Sequence, residues 1–183
     1  MIYLGFDPGN SFGWAAVSST GQRLGSGTWQ LKGDVWEGGG MRWVRLRHQL
    51  RQLLLTHGAG DGQLLNEGAQ LDLAKLYTMR SSSTPKVIAA YEQVFQKQKS
   101  GVAAAVYYGC VSIIKQTCEE MDVPYVGVHT ATLKKVATGR GNASKADVMD
   151  ACVQHWNHDP DDDNEGDALW CAEALRRETR EAR

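Results

Sequence analysis

The apolar positions of this chain change their period several times. Residues 1–7, MIYLGFD, form an apolar run that predicts a strand, DPGNSFG supplies turn chemistry, and WAAVSS predicts a second strand. Residues 23–31, RLGSGTWQL, alternate after a glycine-containing turn and predict a third, so the chain opens as an antiparallel meander. From about Trp36 the period lengthens: Trp43, Leu46, Leu50, Leu53 and Leu54 recur at helical spacing, predicting an amphipathic helix that ends near HGAGDG. Residues 58–85 combine a glycine-rich stretch, a helix-like LLNEGAQLDLAKLYTMR and the loop SSSTP, and are expected to be an insertion outside the main sheet. KVIAAYE (86–92) predicts a buried strand ending on Glu92. Ala103, Val106, Cys110, Ile113, Ile114, Cys118 and Met121 share one face of a helix over 100–121, and PYVGVH (124–129) predicts another buried strand. Ser144 with Asp147 three residues later is a capping-box pattern, opening a helix through Val148, Cys152 and Trp156. The last helix begins around 163–165 and carries Ala168, Leu169, Ala172 and Leu175.

The order is thus β-β-β-α, insertion, β-α-β-α-α, with no internal repeat. Periodicity alone supports an α/β class with an antiparallel start. The order resembles the ribonuclease H-like fold, a mixed five-stranded sheet with helices on both faces. Composition agrees with one domain and a substantial core: 183 residues, 42% hydrophobic and 22% charged. A formal net charge of −1 provides no global positive field, so any nucleic-acid surface must come from local clustering of Lys and Arg. The four cysteines form no C-x-x-C pair, which fits a reducing cytosol, and no run of 18 apolar residues suggests a membrane span. A cytoplasmic protein without a membrane partner is expected.

Carboxylates bring in the chemistry. Asp7 ends the first strand and Glu92 the fourth; if those strands are parallel neighbours, both acids face the sheet edge where α/β proteins bind ligands. Asp167 lies in the first turn of the last helix, within the acidic run DDDNEGDALW, and packing of that helix would add a third acid. Converging carboxylates repel one another, and a divalent cation relieves the conflict. Mg²⁺ suits a few carboxylates plus a substrate phosphate, two such ions support phosphodiester cleavage, and no Cys/His cluster with zinc spacing competes.

Together LGFDPGNSFGWA, YEQVF, LKKVATGRGNASK and NEGDALW resemble the RuvC-like Holliday junction resolvases, in order and at matching spacing over nearly the whole chain apart from 58–85. The resemblance implies a dimeric, Mg²⁺-dependent endonuclease with two ions per active site, Mn²⁺ substituting, that makes symmetric nicks in four-way DNA junctions. It implies that Asp7, Glu92 and Asp167 are catalytic metal ligands. Family members carry an acid or a histidine three residues before the last aspartate, where this chain has Asn164. Helical geometry puts both Asn164 and Asp163 beside the face of Asp167 and turns Glu165 away. Position favours Asn164 as a neutral ligand, and Asp163 is the charged alternative.

No acid occurs between Val123 and Ala146, whereas Lys134, Lys135, Arg140 and Lys145 do. A solvated basic loop is the plain reading. The resemblance places Lys134 and Lys145 beside the scissile phosphate, with TGRGN as a loop near the DNA backbone. It also makes Phe95 an aromatic that stacks on a base near the crossover, flanked by Lys97. The small-residue face of helix 100–121 is a candidate dimer element. Two other readings are a non-catalytic DNA-binding relative, prompted by Asn164, and an actin-like ATPase or sugar kinase, prompted by DPGNSFG but needing two large domains. The divergent 58–85 segment suggests a phage-type enzyme, for which a branch-migration motor is not required.

Overall fold

A computed structural model describes residues 1–33, 36–59, 85–94 and 100–181. Most of the expected insertion therefore lies outside the described residues, as do Phe95 and Lys97. Five strands, β1 (Ile2–Asp7), β2 (Ser11–Ser18), β3 (Arg23–Gln30), β4 (Val87–Gln93) and β5 (Tyr125–His129), form a sheet in the order β3-β2-β1-β4-β5. The pairs β1–β2 and β2–β3 are antiparallel; β1–β4 and β4–β5 are parallel. The opening meander and the parallel neighbours carrying Asp7 and Glu92 are thus both present. The second strand begins at Ser11, earlier than WAAVSS predicts, because SFG already pairs with TWQ of β3.

The helices are α1 (Met41–Thr56), α2 (Gly101–Glu120), α3 (Thr130–Thr138), α4 (Lys145–Trp156) and α5 (Asp163–Glu181). Strand alternation divides the core in two. Leu4, Phe6, Phe12, Ala16, Ala89 and Tyr91 pack under α1 and α2, while Tyr3, Ala15, Val17 and Ala90 pack under α3, α4 and α5. Ser144 and Asp147 form the predicted capping box.

Helix α3 corrects the sequence reading. Lys134 and Lys135 lie on a helix that starts directly after β5 and stops at Gly139, whose φ of 79° is left-handed; only the residues beyond form the expected loop. In TATLKKVAT, Leu133 is the only residue that becomes buried, and three threonines lower helix propensity, so the segment has little apolar periodicity.

Candidate metal centre

Strand periodicity assembles the first two carboxylates. Phe6 pairs with Tyr91 in the parallel ladder, so the next residues on each strand, Asp7 and Glu92, lie side by side and project together onto the face covered by α5. Main-chain sterics supply the third. A Cβ on Gly5 would stand 2.1 Å from the Ala168 carbonyl oxygen, and one on Gly13 would stand 2.0 Å from that of Asn164. The absence of side chains at these two positions lets the first turns of α5 rest on the β1–β2 backbone. Asp7 is paired with Gly13 across the ladder, so that contact sets Asp167 beside it. One oxygen from each of Asp7, Glu92 and Asp167 lies within 4.8 Å of the others.

These acids are poorly solvated and close together. Burial, then the neighbouring Glu92 and Asp167, push the Asp7 carboxyl well above the usual range. Burial and Glu92 raise Asp167 to about 7, against the opposing pull of Lys145 and Lys134. Glu92, 6% exposed, accepts a hydrogen bond from Thr130 Oγ1 at 2.6 Å. Its backbone carbonyl accepts another from Tyr107 Oη at 3.1 Å, which fixes the end of β4. Two oxygens on one Mg²⁺, each about 2.1 Å from it, stand at most about 4.2 Å apart. A 4.8 Å cluster of hard anionic donors, in which burial and neighbouring acids raise Asp7 and Asp167, therefore fits a divalent cation, or a pair of them, after a small contraction.

The other predicted residues sort by position. Lys134 Nζ donates to the Ala143 carbonyl at 2.7 Å, and Lys145 forms an ion pair with Asp163, so both ammonium groups stand close enough to the acids to oppose their protonation. That ion pair accounts for Asp163, the charged alternative to Asn164. The Asn164 side chain lies beside the Asp162 carboxylate and helps to hold its pKa below the ordinary value. Lys135 and Arg140 are exposed, and Arg140 reaches Asp147 at 3.5 Å.

Two structures can be compared over the full length of the chain. Thermus thermophilus RuvC in complex with Holliday junction substrate superposes with a TM-score of 0.74 at 18% identity, covering 100% of this chain and 96% of that one. The Thermus thermophilus RuvC structure gives 0.69 at 17%, covering 100% and 97%. The fold is that of RuvC. No family model and no curated protein matches the sequence. The RuvC likeness is thus carried by the arrangement of strands and helices rather than by sequence identity.

On this RuvC fold the sequence reading missed what holds the acidic run in place. Asp162 accepts from Thr28 Oγ1 at 2.7 Å and from the Glu165 N–H at 2.9 Å. Burial raises its pKa, but these bonds and those from Asn164 more than offset it, leaving the carboxyl below its ordinary value. Glu165, 1% exposed, accepts from Ser26 Oγ and from the Asp161 N–H at 2.9 Å, and it contacts His158 Nε2 at 2.8 Å. Again burial raises the pKa and the bonds win, so Glu165 is held low. Both acids tie the start of α5 to β3 and turn away from the Asp7 cluster. A signal existed: an Asp followed three residues later by Glu just ahead of an apolar helix is a capping pattern. Thr130 carried none.

Proposed function

We propose that this protein is a divalent-metal-dependent endonuclease for branched DNA, cutting four-way junctions by paired, symmetric nicks from a homodimer. The observation that carries this reading is the meeting of Asp7, Glu92 and Asp167 within 4.8 Å at the sheet edge of a RuvC fold. The three carboxylates would hold Mg²⁺, or Mn²⁺ in its place. Bound there, two ions supply an activated water and neutralise charge on the leaving oxygen. Thr130 keeps the Glu92 carboxylate oriented. Lys134 and Lys145 add positive charge on the α5 side, where they attract the scissile phosphate and stabilise charge developing on it. Lys135 and Arg140, exposed beyond them, extend the basic surface along the DNA backbone. In this proposal Asn164 turns from Asp162 to complete the site, and Phe95 and Lys97 contact bases and backbone near the crossover. The whole chain acts as one nuclease domain bearing an insertion at 58–85.

The test uses a mobile four-way junction and a linear duplex, with Mg²⁺ or EDTA. Paired nicks in the junction that require metal are expected, and D7N is expected to bind the junction without cutting it. Normal cutting by D7N would remove Asp7 from the site and sink the assignment. The neutral Asn164, three residues before Asp167, favours one second reading, a non-catalytic junction-binding protein, which predicts binding without nicks in the wild-type chain as well.

A further inference from the structure

Helix α1 carries four arginines, and three have carboxylate partners. Arg45 pairs with Glu37, and Arg47 and Arg51 reach Glu120 at 2.9 and 3.2 Å. Arg42 differs. Among the described residues its polar partner is a neutral amide: Nη1 donates to Asn10 Oδ1 at 3.2 Å, with the guanidinium 5.7 Å from the centre of the Trp43 ring. One such bond leaves most of the five guanidinium N–H donors uncommitted.

Its location gives that spare charge a use. Asn10 closes the turn that follows Asp7, and the adjacent Gly9 carbonyl accepts from Cys110 Sγ at 3.6 Å. The Cys110 thiol senses both the positive charge of Arg42 and the negative charge of Asp7. Arg42 therefore stands at the same end of β1 as the carboxylates but over the α1–α2 face, whereas Lys134 and Lys145 stand over the α5 face. Gly38, Gly39 and Gly40, just before α1, have open space where side chains would be, so among the described residues these three put no bulk between the start of α1 and a polymer lying along the sheet edge.

We infer that Arg42 binds a backbone phosphate of the DNA on the opposite side of the carboxylate cluster from Lys134 and Lys145, so that the strand is gripped from both faces of the sheet. This rests on the nuclease reading above. A guanidinium with paired free N–H groups matches two phosphate oxygens, and its one bond to the neutral Asn10 amide leaves its charge unspent.

The experiment measures binding of a synthetic four-way junction to the full chain in EDTA, by fluorescence anisotropy over a series of salt concentrations. Loss of one phosphate contact shallows the plot of log K against log salt by about 0.9. R42Q is expected to show that change, whereas R42K, R47Q and N10A keep the wild-type slope. An unchanged slope in R42Q, with wild-type binding intact, overturns the contact. So does an N10A variant that reproduces the loss, because the effect would then lie in the turn. If the wild-type chain binds no junction, the nuclease reading and this contact fall together. Arginine modification with phenylglyoxal, read by mass spectrometry on the wild-type protein, needs no variant to fold: junction DNA should protect Arg42, and equal labelling with and without DNA overturns the contact.

Discussion

Asp167 shows how a single side chain would couple folding to a cation bound at the acidic cluster. Without a cation its folded-state pKa is about 7 against an ordinary 3.8, chiefly through burial and Glu92. An acid raised in the folded state contributes its full share of stability below 3.8, and that share is lost as pH rises through about 7, because the unfolded chain ionises first. Asp7, raised in the same direction, adds to the effect. In EDTA the melting temperature of the wild-type chain, taken relative to that of D167N so that oppositely shifted groups such as Asp162 and Glu165 cancel, is therefore expected to fall as pH rises across this window. Mg²⁺ should restore it most strongly at the alkaline end, where the ligands are already deprotonated. A difference between wild type and D167N that rises with pH over the same range would contradict the crowding. The sequence showed which acids could meet, since strand ends and a helix start are readable. It did not show how deeply they are buried, because depth depends on Gly5 and Gly13 meeting a helix more than 150 residues away.

At the scale of elements, the seat of α5 on β1 and β2 is the decisive contact. Adding a methyl group at Gly13 drives it into the Asn164 backbone, so α5 must lift and carry Asp167 away from Asp7. G13A is expected to lose about 1–3 kcal/mol of stability as an overpacked site, and to bind Mn²⁺ more weakly while still folded. G25A is the control, because a Cβ there meets only the Trp14 ring at 3.4 Å. Denaturant titration and calorimetric Mn²⁺ binding compare the two; equal Mn²⁺ affinity in both would mean that the seat does not set the metal site. Elements with a strong period, such as α1, α2 and α4, were legible from apolar spacing and from the Ser144–Asp147 cap. Helix α3 was not, since a nine-residue helix held by Leu133 presents no repeating stripe. The Asp162 and Glu165 ties were hidden for another reason: a run of acids reads as solvated surface until Thr28 and Ser26 of β3 are known to face it.

For the whole molecule, the proposed symmetric cutting requires two copies of the site. On α2, Val102 and Tyr108 are 73% and 62% exposed, and Ala105 and Ser112 are exposed with them at helical spacing. The interior glycine of this helix is already committed, because a Cβ on Gly109 would strike the Trp43 ring at 2.3 Å. In the proposed dimer the exposed stripe, rather than the full small-residue run, would thus be the surface that meets a second copy. Y108D is expected to shift the protein from dimer to monomer in sedimentation equilibrium while retaining Mn²⁺ binding; a dimer that survives the change uses another face. Among the described residues no helix is long and apolar enough to cross a membrane.

All four cysteines are buried free thiols. Burial raises Cys110, Cys118 and Cys152 to about 12, and Cys171 well above its ordinary value. A thiol that stays protonated and out of solvent does not react with maleimide. The native protein is therefore a silent background for site-directed labelling: one cysteine introduced on the surface would carry the only dye, and distances between two protomers, or between protein and a junction arm, could be followed by energy transfer without first removing any natural residue.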